Sequence, residues 1–179
     1  MTIRTFQNHT PVIADTAYVD STALVIGQVN IGSHSSVWPM TVIRGDINTV
    51  TIGERTNIQD GSILHVTHEG PYSPGGVKLA IGNNVTVGHS VVLHACRLED
   101  TCLIGIGSIV LDGAVVQKHT MVGAGSLVPG GKELEGGYLW MGRPAKKMRE
   151  LTEKEIEYLS YSADHYVKVK QMHEASNNA

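Results

Sequence analysis

Aliphatic residues recur every six positions along most of the chain, a spacing that matches neither an exposed strand nor an amphipathic helix. Hexads that begin on an aliphatic residue can be followed from Ile13 to Val122. In all but three of them the fifth residue is Ala, Ser, Thr, Val or Cys, and the exceptions are Ile47, His68 and Arg97. The sequence therefore alternates large residues that can fill an interior with small residues that suit a corner.

This pattern is typical of the left-handed parallel β-helix, in which three hexads form one triangular coil and successive coils stack about 4.8 Å apart. No single coil buries its own apolar face, so a core forms only when coils stack. A β-sandwich would show a period of two with irregular turns and fits the sequence less well. We predict an all-β fold, a single-stranded left-handed parallel β-helix built from hexapeptide repeats, followed by a C-terminal α-helix.

Two insertions and a terminal segment depart from the repeat. Three extra residues occupy 49–51, and a Pro/Gly-rich insertion predicts an external loop over 68–80. The pattern ends after Val128 in another Pro/Gly-rich stretch. We therefore predict a β-helix domain over residues 1–137.

The last part of the chain has helical spacing. Thr152 followed by Glu155 forms a capping-box signature, which predicts a helix from about residue 153 to 171. We expect residues 138–179 to form a connector and this helix, which would lie against the β-helix or a neighbouring chain.

Composition narrows the class of protein. Hydrophobic residues make up 41% of the chain and the net charge is −3, with scattered basic residues, so we expect no nucleic-acid partner. No run approaches the roughly 18 apolar residues of a membrane span, and we expect a soluble, cytoplasmic protein without a membrane partner. Cys96 and Cys102, the only cysteines, are expected to be reduced, inert core residues.

The hexad frame predicts where two histidines fall. Counting three hexads per coil puts Leu64 and Leu93 at the same place on neighbouring coils. His65 and His94, the next residues, then point outward in one column. Arg44 takes the same place in this column one coil earlier. A step of about 4.8 Å lets both imidazoles reach one metal ion.

His89 falls on the preceding face, one coil from Asp60, and lies round a corner from the column. We do not expect it to complete the site within one chain, whereas a threefold trimer could bring it to His65 and His94 of the next subunit. Three histidines without a cysteine ligand and with one open position describe a catalytic zinc site, and Fe²⁺ or Co²⁺ would also suit these ligands. The alternative for an outward histidine is simple solvation, which we expect for His9, His34, His119, His165 and His173.

From Asp15 to the C-terminal helix the sequence resembles the γ-class carbonic anhydrase family, and in particular its short bacterial branch. The resemblance is carried by Arg44-Gly45-Asp46, Asn57-Ile58-Gln59-Asp60-Gly61, His65, Gly88-His89, His94 and Tyr161-Ser162-Ala163. It implies zinc bound by His65, His94 and the His89 of an adjacent subunit in a homotrimer, with the metal sites at the subunit interfaces. It further implies that zinc-bound hydroxide converts CO₂ to bicarbonate.

The resemblance also implies roles for other residues. Arg44 is similar to the family arginine that pairs across the interface with the aspartate matching Asp60, and Asp46 to a carboxylate near the site. Gln59 is similar to the residue that positions hydroxide or bicarbonate, and Asn57 adds a polar wall. Each charged residue has the alternative of forming an ordinary surface ion pair.

Two positions at which the family carries proton-transfer residues differ in this chain. Fast members carry a glutamate directly after the Arg-Gly-Asp motif and another three residues after the first zinc histidine, where this chain has Ile47 and His68. Ile47 cannot move a proton. His68 can shuttle protons near neutral pH or can be a solvated loop histidine. This departure favours a site that is slow, that needs activation, or that serves another reaction.

Three other functions compete with carbonic anhydrase activity. A hexapeptide acyltransferase shares the fold but needs one histidine base beside a coenzyme A groove. A zinc-dependent acyl-CoA thioesterase would use the same metal site. A trimer that binds metal without catalysis is the third.

Overall fold

The computed structural model describes residues 2–177. Within that range it contains twenty strands, most of them short and parallel, and one helix, α1, at Glu153–Asn177. The strands are β1 Ile3–Arg4, β2 Val12–Ile13, β3 Tyr18–Val19, β4 Leu24–Ile31, β5 Ser36–Val37, β6 Val42–Ile52, β7 Asn57–Ile58, β8 Ile63–His65, β9 Leu79–Ile81, β10 Thr86–Val87, β11 Val92–His94, β12 Arg97–Leu98, β13 Leu103–Ile104, β14 Ile109–Val110, β15 Val115–Val116, β16 Met121–Val122, β17 Leu127–Val128, β18 Glu133–Leu134, β19 Tyr138–Gly142 and β20 Ala145–Glu150.

These strands stack into the predicted left-handed parallel β-helix with three faces. The first face contains β8, β11, β14 and β17, and the second contains β9, β12, β15 and β18. The long strands β4 and β6 run round one corner and belong to both. The third face follows the order β3-β5-β7-β10-β13-β16-β19.

The aliphatic residues that begin the hexads form three inward columns of side chains, one on each face. Each column pairs in parallel register from coil to coil, and most of its members are fully buried. The first-face column is Val25, Ile43, Leu64, Leu93, Val110 and Val128. The third-face column is Val19, Val37, Ile58, Val87, Ile104, Val122 and Trp140. The inward residues thus form a continuous core, as stacking requires.

Hydroxyls at the corners explain much of the preference for small residues at the fifth position. The buried hydroxyls of Ser35, Thr56 and Ser62 donate to carbonyls of the following coil at 2.7, 2.8 and 3.2 Å. Thr41 donates to the Gln59 carbonyl at 3.1 Å in the same way. These bonds satisfy polar groups that a corner would otherwise bury without partners.

The repeat continues beyond Val128, where we predicted its end. Leu134 and Trp140 take the next two inward positions, and β19 pairs in parallel with β16. Gly131 and Gly137 belong to the Pro/Gly-rich stretch that predicts this end, and they lie at corners with φ of +67° and +81°. Glycine accepts this conformation at no steric cost, so it serves the turn rather than ending the fold.

Other boundaries also differ from the predicted ones. The parallel sheet runs past residue 137 through β19, after which β20 pairs with it in the antiparallel sense. The loop after β8 is closed by an antiparallel bridge between Thr67 and Val77, and β9 resumes at Leu79. The division into domains stays a prediction.

The helix α1 begins where the capping box predicts. The Thr152 hydroxyl accepts from the Glu155 backbone N–H at 3.3 Å, and the Glu155 carboxylate accepts from the Thr152 N–H at 2.9 Å. The helix runs six residues past the predicted end at 171, and Lys170 pairs with Glu174 at 3.0 Å in this last part.

The helix packs on the third face of its own chain, close to β5 and β10. Leu159 and Ala163 are fully buried there, and Tyr166 makes an edge-on contact with Trp38 at 5.7 Å between ring centroids. No helix within residues 2–177 is long and apolar enough to cross a bilayer.

Candidate metal centre

His65 and His94 meet as the hexad frame predicts. They pair in register at the ends of β8 and β11, on neighbouring coils of the first face. Their ring centroids are 5.2 Å apart, and His65 Nδ1 lies 3.1 Å from His94 Nε2. Both side chains are partly buried, at 15% and 34% exposure.

The outer nitrogen of each ring is held by a carboxylate. His65 Nε2 lies 3.1 Å from Asp46 Oδ1, and His94 Nδ1 lies 2.6 Å from Asp112 Oδ1. A neutral imidazole has one N–H, and donating it to the carboxylate leaves the other nitrogen as an acceptor. Two lone pairs therefore face each other across 3.1 Å, an arrangement that needs a proton or a cation between them.

This donor set fits a zinc ion. Two nitrogens bound to one tetrahedral zinc at about 2.0–2.1 Å lie roughly 3.3 Å apart, close to the separation of the two ring nitrogens. A carboxylate on the far nitrogen of each ring is the arrangement that orients histidine ligands in metal sites. His65 and His94 are thus able to hold a metal with little movement.

Charge and burial favour the ligand form of His65. Burial lowers the pKa of His65, although the hydrogen bond to Asp46 works against the shift. Burial raises the pKa of Asp46, but hydrogen bonds from Arg44 and His65 outweigh it and lower that pKa overall. A neutral imidazole beside an ionised carboxylate is the state that binds metal.

Arg44 and Asp46 are joined by an ion pair of 2.5 Å. Packing requires a glycine between them, because a Cβ on Gly45 would lie 2.6 Å from the carbonyl oxygen of Gln28. The backbones of β4 and β6 thus approach too closely for any side chain at this point. The motif holds Arg44 and Asp46 at the edge of the histidine column.

His89 lies on the third face, at the corner after β10. Its Nδ1 is 2.9 Å from Asp60 Oδ2, the residue one coil away that the hexad frame indicates. The ring is 45% exposed, and its Nε2 is left for another partner. Within residues 2–177 no three metal-binding side chains converge, so His89 does not join His65 and His94 in the same chain.

The predicted pairing of Arg44 with Asp60 of another subunit stays a prediction. Within one chain Arg44 contacts Asp46 and Asp60 contacts His89.

Asn57 and Gln59 form a buried polar wall. Gln59 Nε2 donates to Asn57 Oδ1 at 3.0 Å, and both side chains are at most 5% exposed. Gln59 and His89 line a cavity of about 400 Å³ between the third face and α1. Its apolar lining includes Leu103, Ile106 and Met121.

His68 and Ile47, the positions relevant to proton transfer, are both exposed. His68 lies in the loop after β8, three residues from His65. The exposure leaves its two readings open, as a shuttle or as a solvated histidine.

Sequence reasoning missed Asp112 and Thr67. Asp112 is two residues after Val110, on the coil next to His94, and the same hexad count that found the histidines could have found it. Its carboxylate accepts hydrogen bonds from both Thr67 and His94. Burial raises the pKa of Asp112, but these two bonds outweigh it and lower that pKa overall.

The cysteines are buried and unpaired with each other. Burial raises the pKa of Cys96, and it raises the pKa of Cys102 to about 12. Raised pKa values favour the protonated, unreactive form of both thiols at neutral pH.

Structural comparison first defines the class as hexapeptide-repeat β-helix proteins. A hexapeptide transferase family protein from Anaplasma phagocytophilum is similar at a TM-score of 0.86 and 40% identity, over 95% of this chain and 96% of that protein. A Bacillus cereus protein with a provisional acetyltransferase assignment is similar at a TM-score of 0.88 and 39% identity, over 97% and 96% of the two chains.

Sequence relatives narrow the class. The chain is 48% identical to protein YrdA of Escherichia coli over 94% of its own length and 91% of that protein. It is 43% identical to a carbonic anhydrase of Geobacillus kaustophilus, over 95% and 90% of the two chains. It is 45% identical to the mitochondrial gamma carbonic anhydrase 2 of Arabidopsis thaliana over 94% of its length, and it spans 60% of that longer protein. No protein-family model matches the sequence.

These relatives, the fold and the paired histidines place the chain in one family. It belongs to the γ-class carbonic anhydrase family, as the sequence motifs indicate.

Proposed function

We propose that this protein is a zinc-dependent carbonic anhydrase that catalyses the reversible hydration of CO₂ to bicarbonate. His65 and His94 of one subunit and His89 of a neighbouring subunit would hold the metal. The observation that carries the proposal is the pair of ring nitrogens 3.1 Å apart, each on an imidazole whose other nitrogen faces a carboxylate.

An apolar column beside the histidines supports a homotrimer. The residue before each inward position of the first face points outward and is aliphatic on successive coils. These residues are Leu24, Val42, Ile63, Val92, Ile109 and Leu127. Ile63 is 49% exposed although it neighbours the site. Such a column favours burial against another copy of the chain, and a closed threefold arrangement would supply His89 to each site.

The residues of the chain have distinct tasks in this function. Asp46 and Asp112 hold the tautomers of His65 and His94, so that the facing nitrogens accept rather than donate. Asp60 does the same for His89. A zinc ion bound here supplies Lewis-acid chemistry, by which water ionises near pH 7 in carbonic anhydrase, the established example of this effect.

Polar residues around the site would orient the substrate. Gln59 presents its amide to the cavity, and Asn57 fixes it from behind. Arg44 holds Asp46 ionised and would meet Asp60 of the neighbouring subunit. His68, exposed in the loop, would pass protons to bulk water. Fe²⁺ or Co²⁺ would serve the same ligands.

The cavity supports a second candidate function. A volume of about 400 Å³ with an apolar lining is far larger than CO₂ requires. Such a space suits an acyl group, so hydrolysis of an acyl-CoA thioester or acyl transfer is the alternative. A metal-binding trimer without catalysis is the third possibility. The cytoplasmic location stays a prediction, because the relatives include mitochondrial proteins.

The deciding experiment is stopped-flow CO₂ hydration by zinc-loaded protein beside its His94→Ala variant. His9→Ala, at an exposed position before the first hexad, is the matched control. We expect hydration by the parent and the control and its loss with His94→Ala. A fully metallated protein that hydrates no CO₂ would contradict the proposal, and acyl-CoA hydrolysis by the same sample would support the second candidate.

A further inference from the structure

A run of buried polar side chains connects the C-terminal helix to Gln59. Gln59 Nε2 donates to Asn57 Oδ1 at 3.0 Å, and Asn57 Nδ2 donates to Thr86 Oγ1 at 3.0 Å. The hydroxyls of Thr86 and Ser162 lie 3.0 Å apart. All four side chains are buried, with 1–7% exposure. Ser162, in α1, is thus joined to the polar wall of the site.

A backbone carbonyl fixes the direction of the run. Asn57 Nδ2 also donates to the Val85 carbonyl at 3.4 Å, and a carbonyl can only accept. The nitrogen of Asn57 must therefore face Val85 and Thr86, which turns its oxygen toward Gln59. Gln59 donates to that oxygen through its Nε2, so the Oε1 of Gln59 is left to face the cavity. The hydroxyl hydrogen of Thr86 is then available to Ser162.

The docking of α1 determines where Ser162 stands. Its neighbours Leu159 and Ala163 are fully buried against the third face, and the small side chain of Ala163 lets the helix approach closely. Asp164 forms an ion pair with Arg55 on the β-helix. The position of the Ser162 hydroxyl therefore reports the position of the helix.

We propose that Ser162 and Thr86 are positioning residues that fix the amide of Gln59, so that docking of α1 sets the polar geometry of the site. The proposal rests on the proposed function for its catalytic consequence. Without the Ser162 hydroxyl, Thr86 loses its partner, and the Asn57 amide is held less firmly. Gln59 then loses its single orientation, since bonds in such a run support one another.

The test compares Ser162→Ala with Ser160→Ala in zinc-loaded protein. Both changes remove one hydroxyl from the same helix, but Ser160 is exposed. We expect Ser162→Ala to lower kcat/KM for CO₂ hydration about 3- to 10-fold, the size of effect of one hydrogen bond, with unchanged zinc content. Ser160→Ala should stay within about twofold of the parent. Thr86→Val should act like Ser162→Ala, whereas Thr86→Ser keeps the hydroxyl and should retain activity.

A double-mutant cycle separates positioning from a general structural effect. In a Gln59→Ala background, Ser162→Ala should cause no further loss, because its partner in the site is already gone. A second loss as large as the first would overturn the proposal.

Side-chain amide resonances give a readout that does not depend on activity. Ser162→Ala should shift the ¹H–¹⁵N signals of both Asn57 and Gln59 and speed their hydrogen exchange, while Ser160→Ala leaves them in place. Unchanged signals would overturn the positioning role. If the signals move in a protein that hydrates no CO₂, the connection stands and the proposed function fails.

Discussion

His94 Nδ1 lies 2.6 Å from Asp112 Oδ1, and the same carboxylate accepts a hydrogen bond from Thr67. The imidazole is thereby held in one tautomer with Nε2 facing His65. A carboxylate in this place raises the basicity of a histidine ligand and fixes the plane of its ring.

Replacing this carboxylate should weaken metal binding. Asp112→Asn is expected to lower zinc affinity about 10- to 100-fold, the usual effect of removing an outer-shell partner. Competition with a chelator of known affinity measures it. Asp15→Asn, at an exposed corner, is the matched control and should leave the affinity unchanged. Equal affinity in Asp112→Asn and the parent would show that the carboxylate does not orient the ligand.

Sharing of the site between subunits can be tested by mixing variants. His89→Ala and His94→Ala homotrimers should each bind no zinc at the site. In a trimer of shared sites, an intact site forms wherever a His94-bearing subunit meets a His89-bearing neighbour, so about one third of the sites in mixed trimers are restored. Co-expression with two affinity tags and metal analysis of the doubly purified trimers provides the measurement. No recovery of zinc would mean that the three histidines do not act across an interface.

Gly45 should resist substitution although it carries no chemistry. A Cβ there would lie 2.6 Å from the Gln28 carbonyl oxygen, so Gly45→Ala must separate two coils. We expect the free energy of unfolding to fall by about 1–3 kcal/mol, the range for overpacking, measured by urea denaturation. Gly75→Ala is a useful comparison, because that loop residue has φ of +78° and nothing within 4 Å, and so reports backbone strain alone. Similar losses in both variants would contradict the steric explanation.

The capping box of α1 should make the stability of the protein depend on pH in the acid range. Hydrogen bonds from Arg149 and Thr152 hold the pKa of Glu155 at about 2, below its ordinary 4.5. A lowered carboxylate pKa stabilises the fold above about pH 4.5, and this contribution is lost as pH falls from there toward 2.

Thermal melts of metal-free Glu155→Gln therefore should show a lower Tm than the parent at pH 7, with the difference shrinking as pH falls toward 3. Glu157→Gln, on an exposed position of the same helix, serves as the control. A Tm difference that is the same at pH 7 and pH 3 would exclude the ionised cap as its cause.

Much of this protein can be predicted from its sequence because the repeat turns spacing along the chain into position in space. One count of hexads places His65 beside His94 and His89 beside Asp60, and both contacts are present. The predicted end of the repeat at Val128 is wrong, because the glycines that follow it occupy corners and the coils continue past them.

The sequence by itself determined the β-helix, the register of its coils and the start of α1, since each depends on a local period or a local cap. Only the tertiary structure decided that α1 packs on the third face, with Ser162 reaching Thr86, 76 residues away in the chain. No period relates a helix to the coil on which it docks, because the contact depends on how two surfaces fit. The same holds for the hydrogen bond of Thr67 to Asp112, which depends on the path of an inserted loop.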